Sequence, residues 1–155
     1  MTVKDTAVQK VRWAESTGKA VRLLAEEEQA LAAAAQEAEF RALEAISNIP
    51  VADQILERVP KREERTRAGA VNRLEEAIEA VWCHASEDGS VKQRAKKAKQ
   101  AWAEAENYRW CLAMSGRRIA YGEARKLAGP FMSEEDLAQE GFIGLLRAAK
   151  RFEPD

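Results

Sequence analysis

Four prolines, Pro50, Pro60, Pro130 and Pro154, divide the chain into stretches built mainly from alanine, glutamate, lysine, arginine and leucine. Proline has no N–H to donate and clashes with the preceding helical turn, so these positions punctuate helices rather than lie inside them. β-Branched and aromatic residues are sparse between them, which is the composition of a helix former. The expectation is an all-α fold, a helical bundle of long antiparallel helices, with no strand.

Apolar spacing places the individual helices. A short helix opens near Asp5 or Thr6, carries Val8, Val11 and Trp13, and breaks at Ser16-Thr17-Gly18. A long helix is expected over 19–46, with Leu23, Leu24, Leu31, Ala35, Ala38, Leu43 and Ile46 along it. Ser47-Asn48-Ile49-Pro50 ends it, since the residue before proline is pushed out of the α region, and Asn48 serves as the cap. Val51, Ile55 and Val59 share a face over 51–59. The helix expected over 62–85 buries Val71, Leu74, Ile78, Val81 and Trp82. Glu87-Asp88-Gly89-Ser90 reads as a loop. A further long helix is expected over 91–127, weakened by about 1 kcal/mol each at Gly116 and Gly122 relative to alanine. Gly129-Pro130 stops it. Ser133 then caps a last helix reaching about Phe152, with Glu134, Glu135 and Asp136 facing the positive end of its dipole. Trp13, Trp82, Trp102 and Trp110 are expected as core or helix-interface anchors.

The formal net charge is -1, so total charge does not mark a nucleic-acid binder. The signs are separated, however: acidic residues dominate 26–44, and basic residues cluster at 92–99 and 109–126. Such blocks present a cationic strip to a phosphate backbone. The run Lys92-Gln93-Arg94-Ala95-Lys96-Lys97-Ala98-Lys99 reads first as a solvated helix face. Arg117, Arg118, Arg125 and Lys126 are the better-placed candidates for contact with a DNA backbone, the alternative being ion pairing with the acidic N-terminal helix.

Cys83 and Cys111 do not make a disulfide framework and read as reduced thiols of a cytoplasmic protein. No stretch of about 18 apolar residues is present to span a membrane, and the first residues lack the apolar core of a secretory signal. Cys83-His84 is the one hint of metal chemistry, and two distant cysteines with one histidine do not supply four zinc ligands. No nucleophile–base spacing or glycine-rich phosphate loop stands out. The expectation is an interaction protein rather than an enzyme, with no cofactor and no metal.

On a wheel of about 100° per residue, Leu137, Gly141, Gly144, Leu145, Ala148 and Phe152 of the last helix fall on one side. Asp136, Gln139, Glu140, Arg147 and Lys150 fall on the other, and Phe142, Ile143 and Leu146 lie beside or within that polar face. Large apolar side chains among exposed carboxylates mark a protein-binding surface.

The run Asp136-Leu137-Ala138-Gln139-Glu140-Gly141-Phe142-Ile143-Gly144-Leu145-Leu146, continued by Ala148-Ala149-Lys150-Arg151-Phe152, resembles the core-binding segment of the bacterial sigma-70 family. Upstream, Ala105-Glu106-Asn107-Tyr108-Arg109-Trp110 and Arg117-Arg118-Ile119-Ala120-Tyr121 resemble the family helix that precedes it. Leu23-Leu24-Ala25-Glu26-Glu27-Glu28 and the helix after it resemble the family's conserved N-terminal segment. The resemblance implies a sigma-factor domain-two-like module in three parts: N-terminal conserved helices over 1–59, a variable helical spacer over 60–103 and a core-binding helix pair over 104–155. It also implies a sigma factor that binds core RNA polymerase at the β′ clamp helices and directs transcription initiation at promoters. Asp136, Gln139, Glu140, Phe142, Ile143 and Leu146 would be the contacting residues. Promoter DNA and an anti-sigma factor are further partners that it admits.

Two positions depart from the family pattern: Phe142, where asparagine is common, and Glu135, where an apolar residue is. The family's promoter-reading residues follow the closing phenylalanine, so a chain ending at Asp155 reads as a fragment of a longer factor. The alternatives are a sigma-like regulator or decoy that occupies the clamp without reading promoters, and a helical scaffold.

Overall fold

The computed structural model describes residues 1–85 and 89–155. Among them the elements are α1 (Val3–Thr17), α2 (Ala25–Ile46), α3 (Pro50–Leu56), a 3-10 turn (Arg62–Glu64), α4 (Arg67–His84), α5 (Gly89–Ser115), α6 (Arg117–Leu127) and α7 (Glu134–Arg151), with no strand. The all-α expectation holds. The chain forms two compact units, one of Met1–Ala34 with Asn107–Asp155, the other of Ala35–Glu106. The segments 1–59, 60–103 and 104–155 do not coincide with these units, because the long helices α2 and α5 each supply residues to both.

In the first unit, α1 is closed at both ends by local chemistry. The Thr2 hydroxyl accepts from the Asp5 N–H at 3.3 Å, and the Asp5 carboxylate accepts from the Thr2 N–H at 3.0 Å. At the other end Gly18 takes φ 66°, the left-handed conformation that glycine adopts at least cost. The long helix expected from residue 19 instead begins at Ala25, and 19–24 are non-helical. Glu27 sets that start: its carboxylate accepts from the Leu24 N–H at 2.8 Å, so the backbone at Leu24 is capped rather than continued. Glu26, Glu27 and Glu28 fill the first turn, where the helix dipole favours negative charge.

Glu27 is only 3% exposed and also pairs with Lys10 of α1. The Lys10 hydrogen bond, followed by the Leu24 N–H, holds its carboxyl below the ordinary value of 4.5. A depressed carboxyl stabilises the fold fully above about pH 4.5 and loses that contribution as pH falls through its lower folded value. Glu27→Gln is therefore expected to be less stable than wild type at neutral pH, with the gap closing below about pH 4.5. Urea titrations across that range check it; a gap independent of pH would contradict this role. Val11, Leu23, Leu31, Cys111 and Met114 form the core of this unit, with Tyr108, Leu112 and Phe142 packed against it. Burial, with Glu15 adding, pushes the Cys111 thiol up to about 11, which leaves it unreactive.

The helix expected over 91–127 is two helices, α5 and α6, divided at Gly116. The Gly116 N–H bonds back only three residues, to the Ala113 carbonyl at 3.1 Å, which tightens the last turn of α5. Leu145 of α7 fills the space beside it: a Cβ on Gly116 would stand 2.5 Å from Leu145 Cδ2. Gly122 remains inside α6, as expected.

In the second unit, Ile46, Leu74, Ile78 and Val81 pack with the alanines Ala42, Ala77, Ala95 and Ala98, whose small side chains let the helices approach closely. Asn48, at φ 62°, carries the chain out of α2 as expected. Arg94 donates from Nε to the Ala45 carbonyl at 2.9 Å and from its terminal nitrogen to the Ser47 carbonyl. The basic run is thus not a uniformly solvated face. Arg94 closes the end of α2, Ala95 and Ala98 are core, and Lys99 pairs with Glu79 at 3.1 Å.

Several expected boundaries shift in this unit. The helix of 51–59 stops at Leu56 and leaves Val59 exposed. The helix of 62–85 is a 3-10 turn followed by α4, restarted where the Thr66 hydroxyl accepts from the Gly69 N–H at 3.0 Å. Gly69 lies so close to the Glu64 carbonyl that a side chain would collide with it. Gly89 and Ser90 open α5 rather than a loop, and Glu87 and Asp88 lie outside the described residues.

Trp102 packs against the core of this unit as expected, whereas two other tryptophans are more exposed. Trp82 leaves the buried stripe and lies 4.6 Å beneath the Lys99 ammonium, and Trp13 is 55% exposed. Cys83 is exposed, and Nδ1 of His84 lies 2.7 Å from the Ala80 carbonyl oxygen.

Candidate partner-binding site

Helices α6 and α7 pack against each other in the first unit through small residues. A Cβ on Gly141 would stand 3.1 Å from the Ala120 Cβ, so glycine here permits the close approach. The connection between them is pinned by the Gly129 N–H to the Met132 carbonyl at 3.1 Å. Arg125 Nε also donates to Glu134 at 2.9 Å. Ser133 caps α7 as expected, its hydroxyl accepting from the Asp136 N–H at 3.1 Å.

The inward face of α7 is turned by roughly 50° from the face expected on the wheel. Ala138 and Ala149 are buried and Phe142 and Leu145 are half-buried, whereas Gly144 and Ala148 are exposed. Phe142, expected on the contact surface, is half-buried: it packs edge-on against Trp110 with ring centroids 5.1 Å apart and lies against the core cluster. The rotation follows from size. A phenylalanine buries more apolar area than glycine or alanine, so the helix turns to put it inside.

The other five candidates share the outward side. Asp136, Gln139, Glu140 and Ile143 are exposed and Leu146 is half-buried. Asp136, Gln139, Ile143 and Leu146 recur at three- and four-residue spacing and so form one stripe along α7. Among the described residues, the side chains of Asp136, Gln139 and Glu140 have no hydrogen-bond or ion-pair partner. They are available to a partner without breaking anything first. Gln139 and Ile143 also edge a groove of about 530 Å³ whose wall includes Trp110, Phe142 and Glu15. Glu15 holds the Trp110 indole N–H at 2.8 Å. Sequence reasoning missed Glu15 and Trp110 at this position, because nothing in the spacing of α1 announces that it meets the end of α5.

The four basic candidates separate. Arg117, Arg118 and Arg125 line a second groove, of about 470 Å³, whereas Lys126 stands outside it and pairs with Glu123 at 2.8 Å. The ion pairs they make are local, to Glu134 and Glu123, rather than to the acidic residues of α2.

A family model described as Sigma-70 region 2 matches residues 112–155. The match does not extend to 23–28 or 105–110, which the sequence likens to the same family. Neither a curated protein nor a solved structure matches the chain. The stretch from the last residues of α5 through α7 is thus similar to region 2 of the sigma-70 family, a domain of transcription initiation factors that works with core RNA polymerase.

Proposed function

We propose that this protein acts as a sigma-type factor. The outward stripe of α7 would bind core RNA polymerase at the coiled-coil clamp helices of its β′ subunit and help direct it to promoters. The observation that carries the reading is one unpartnered set, Asp136, Gln139 and Glu140, interleaved with Ile143 and Leu146 inside the stretch similar to sigma-70 region 2. Carboxylates and an amide would meet basic and polar groups of the partner helix. The two aliphatic side chains would lose water on contact, which is the mixture of a polar rim and an apolar centre. No bond chemistry is required. Arg117, Arg118, Arg125 and Lys126 would contribute contacts to the phosphates of promoter DNA.

Capture of core polymerase by the protein, beside Gln139→Ala/Glu140→Ala, tests the docking reading. Both positions are exposed, so the double variant is expected to fold as wild type while its affinity falls by at least about tenfold, the size of a modest interface hot spot. Equal capture by the two proteins would end this assignment of the face.

A further inference from the structure

The second groove of the first unit has a chemistry that docking to polymerase does not use. Arg117, Tyr121 and Arg125 recur every four residues along α6, with Arg118 and Gly122 one residue on, so all five share one side of the helix. Lys19, on the non-helical stretch before α2, lines the same groove with them. Cations therefore come from two different segments and converge on one concave space. Among the described residues Lys19, Arg117 and Arg118 have no carboxylate partner, and Arg125 is paired with Glu134.

Two aromatic rings hold the cations in place. The Lys19 ammonium lies 5.3 Å from the centre of the Trp13 ring, and the Arg117 guanidinium lies 5.3 Å from that of Tyr121. Arg117 also donates to the Tyr121 hydroxyl at 3.3 Å. In a chain whose net charge is -1, like charges gathered this way repel one another unless an anion sits among them.

We propose that this groove binds a compact chain of phosphates, as in inorganic polyphosphate or the tail of a nucleoside triphosphate. The proposal rests on reading these arginines as phosphate-binding groups and narrows it from an extended backbone to a short, dense anion. Guanidinium forks match phosphate oxygens two at a time. About 470 Å³ is the scale of a small-molecule site rather than of a track for a duplex. Lys126, which a track along the helix would include, stands outside. Gly122 leaves the groove open, since a Cβ there meets nothing within 4 Å.

Calorimetric titration of the whole protein with sodium tripolyphosphate, with ATP, and with a short single-stranded oligonucleotide tests this. Tripolyphosphate is expected to bind, and Arg117→Gln/Arg118→Gln is expected to weaken it at least about tenfold. Lys96→Gln, which removes an exposed cation outside the groove, should leave it unchanged. Gly122→Glu, whose Cβ would meet nothing within 4 Å and whose carboxylate would enter the groove, should abolish it in a protein that circular dichroism shows to be folded. ATP binding tighter than tripolyphosphate identifies a nucleotide as the source, and equal binding identifies the phosphate chain alone. Oligonucleotide binding that depends on the arginines, with no tripolyphosphate binding or competition, overturns the proposal and leaves the backbone reading standing. Absence of arginine-dependent binding in every arm overturns both.

Discussion

Ile78→Ala is expected to lower the unfolding free energy of the second unit by about 2–5 kcal/mol, the range for deleting a fully buried isoleucine. Ile78 is 2% exposed and packs in one cluster with Ile46, Leu74 and Val81. The cost should fall in the upper part of that range because the cluster is otherwise rich in alanine. Ala42, Ala77, Ala95 and Ala98 have no flexible atoms with which to fill the hole, and the helices that carry them are already close. Urea denaturation followed by the fluorescence of Trp82 and Trp102 reads the loss, and hydrogen exchange should place the lost protection within 35–106. A loss below about 1 kcal/mol would mean that the site collapses and that this core is loose enough to refill the hole.

Phe142→Ala is expected to cost about 2 kcal/mol, less than the 3–5 of a fully buried phenylalanine because the ring is half-buried. Part of the loss is the edge-on contact with Trp110, worth about 1 kcal/mol in comparable pairs. The variant should therefore shift the unfolding midpoint together with the fluorescence of Trp110. Any weaker capture of polymerase should be recovered when a folded fraction is secured by lower temperature. A Phe142→Ala protein of wild-type stability that still fails to bind polymerase would return this ring to the contact surface. Substitution at Gln139 and Glu140 should do the opposite, leaving the midpoint in place and changing only binding.

The contrast between these residues shows how far local signals carry. The Ser133 cap, the acidic first turn of α7, the exit from α2 at Asn48 and the interruption at Gly18 are all chemistry between residues a few positions apart. Each was legible because its hydrogen bonds or its backbone conformation depend on that short stretch alone. The outward positions of Asp136, Gln139, Glu140 and Ile143 were legible too, from a 3.6-residue period read along one helix. The basic cluster was visible as charge, but its division into three groove arginines and an outlying Lys126 was not. That division depends on where the non-helical stretch carrying Lys19 passes α6.

Other features needed partners distant in the chain. A glycine within a strong helical pattern is tolerated at Gly122 and becomes a break at Gly116, where Leu145 takes the space of the missing side chain. A leucine-rich start at residue 19 gives way to a start at Ala25, because Glu27 is drawn down by Lys10 and caps Leu24. The period of α7 predicted a stripe, yet which of two neighbouring stripes turned inward was settled by Trp110, which offered Phe142 an edge to pack against. The residue order of this chain thus determines that it is helical, where most helices are capped and which side of α7 is polar, since these follow from backbone hydrogen bonding and short-range periodicity. The break at Gly116, the rotation of α7 and the two grooves were decided by packing, because burial is a property of the surfaces that meet and no single helix contains both of them.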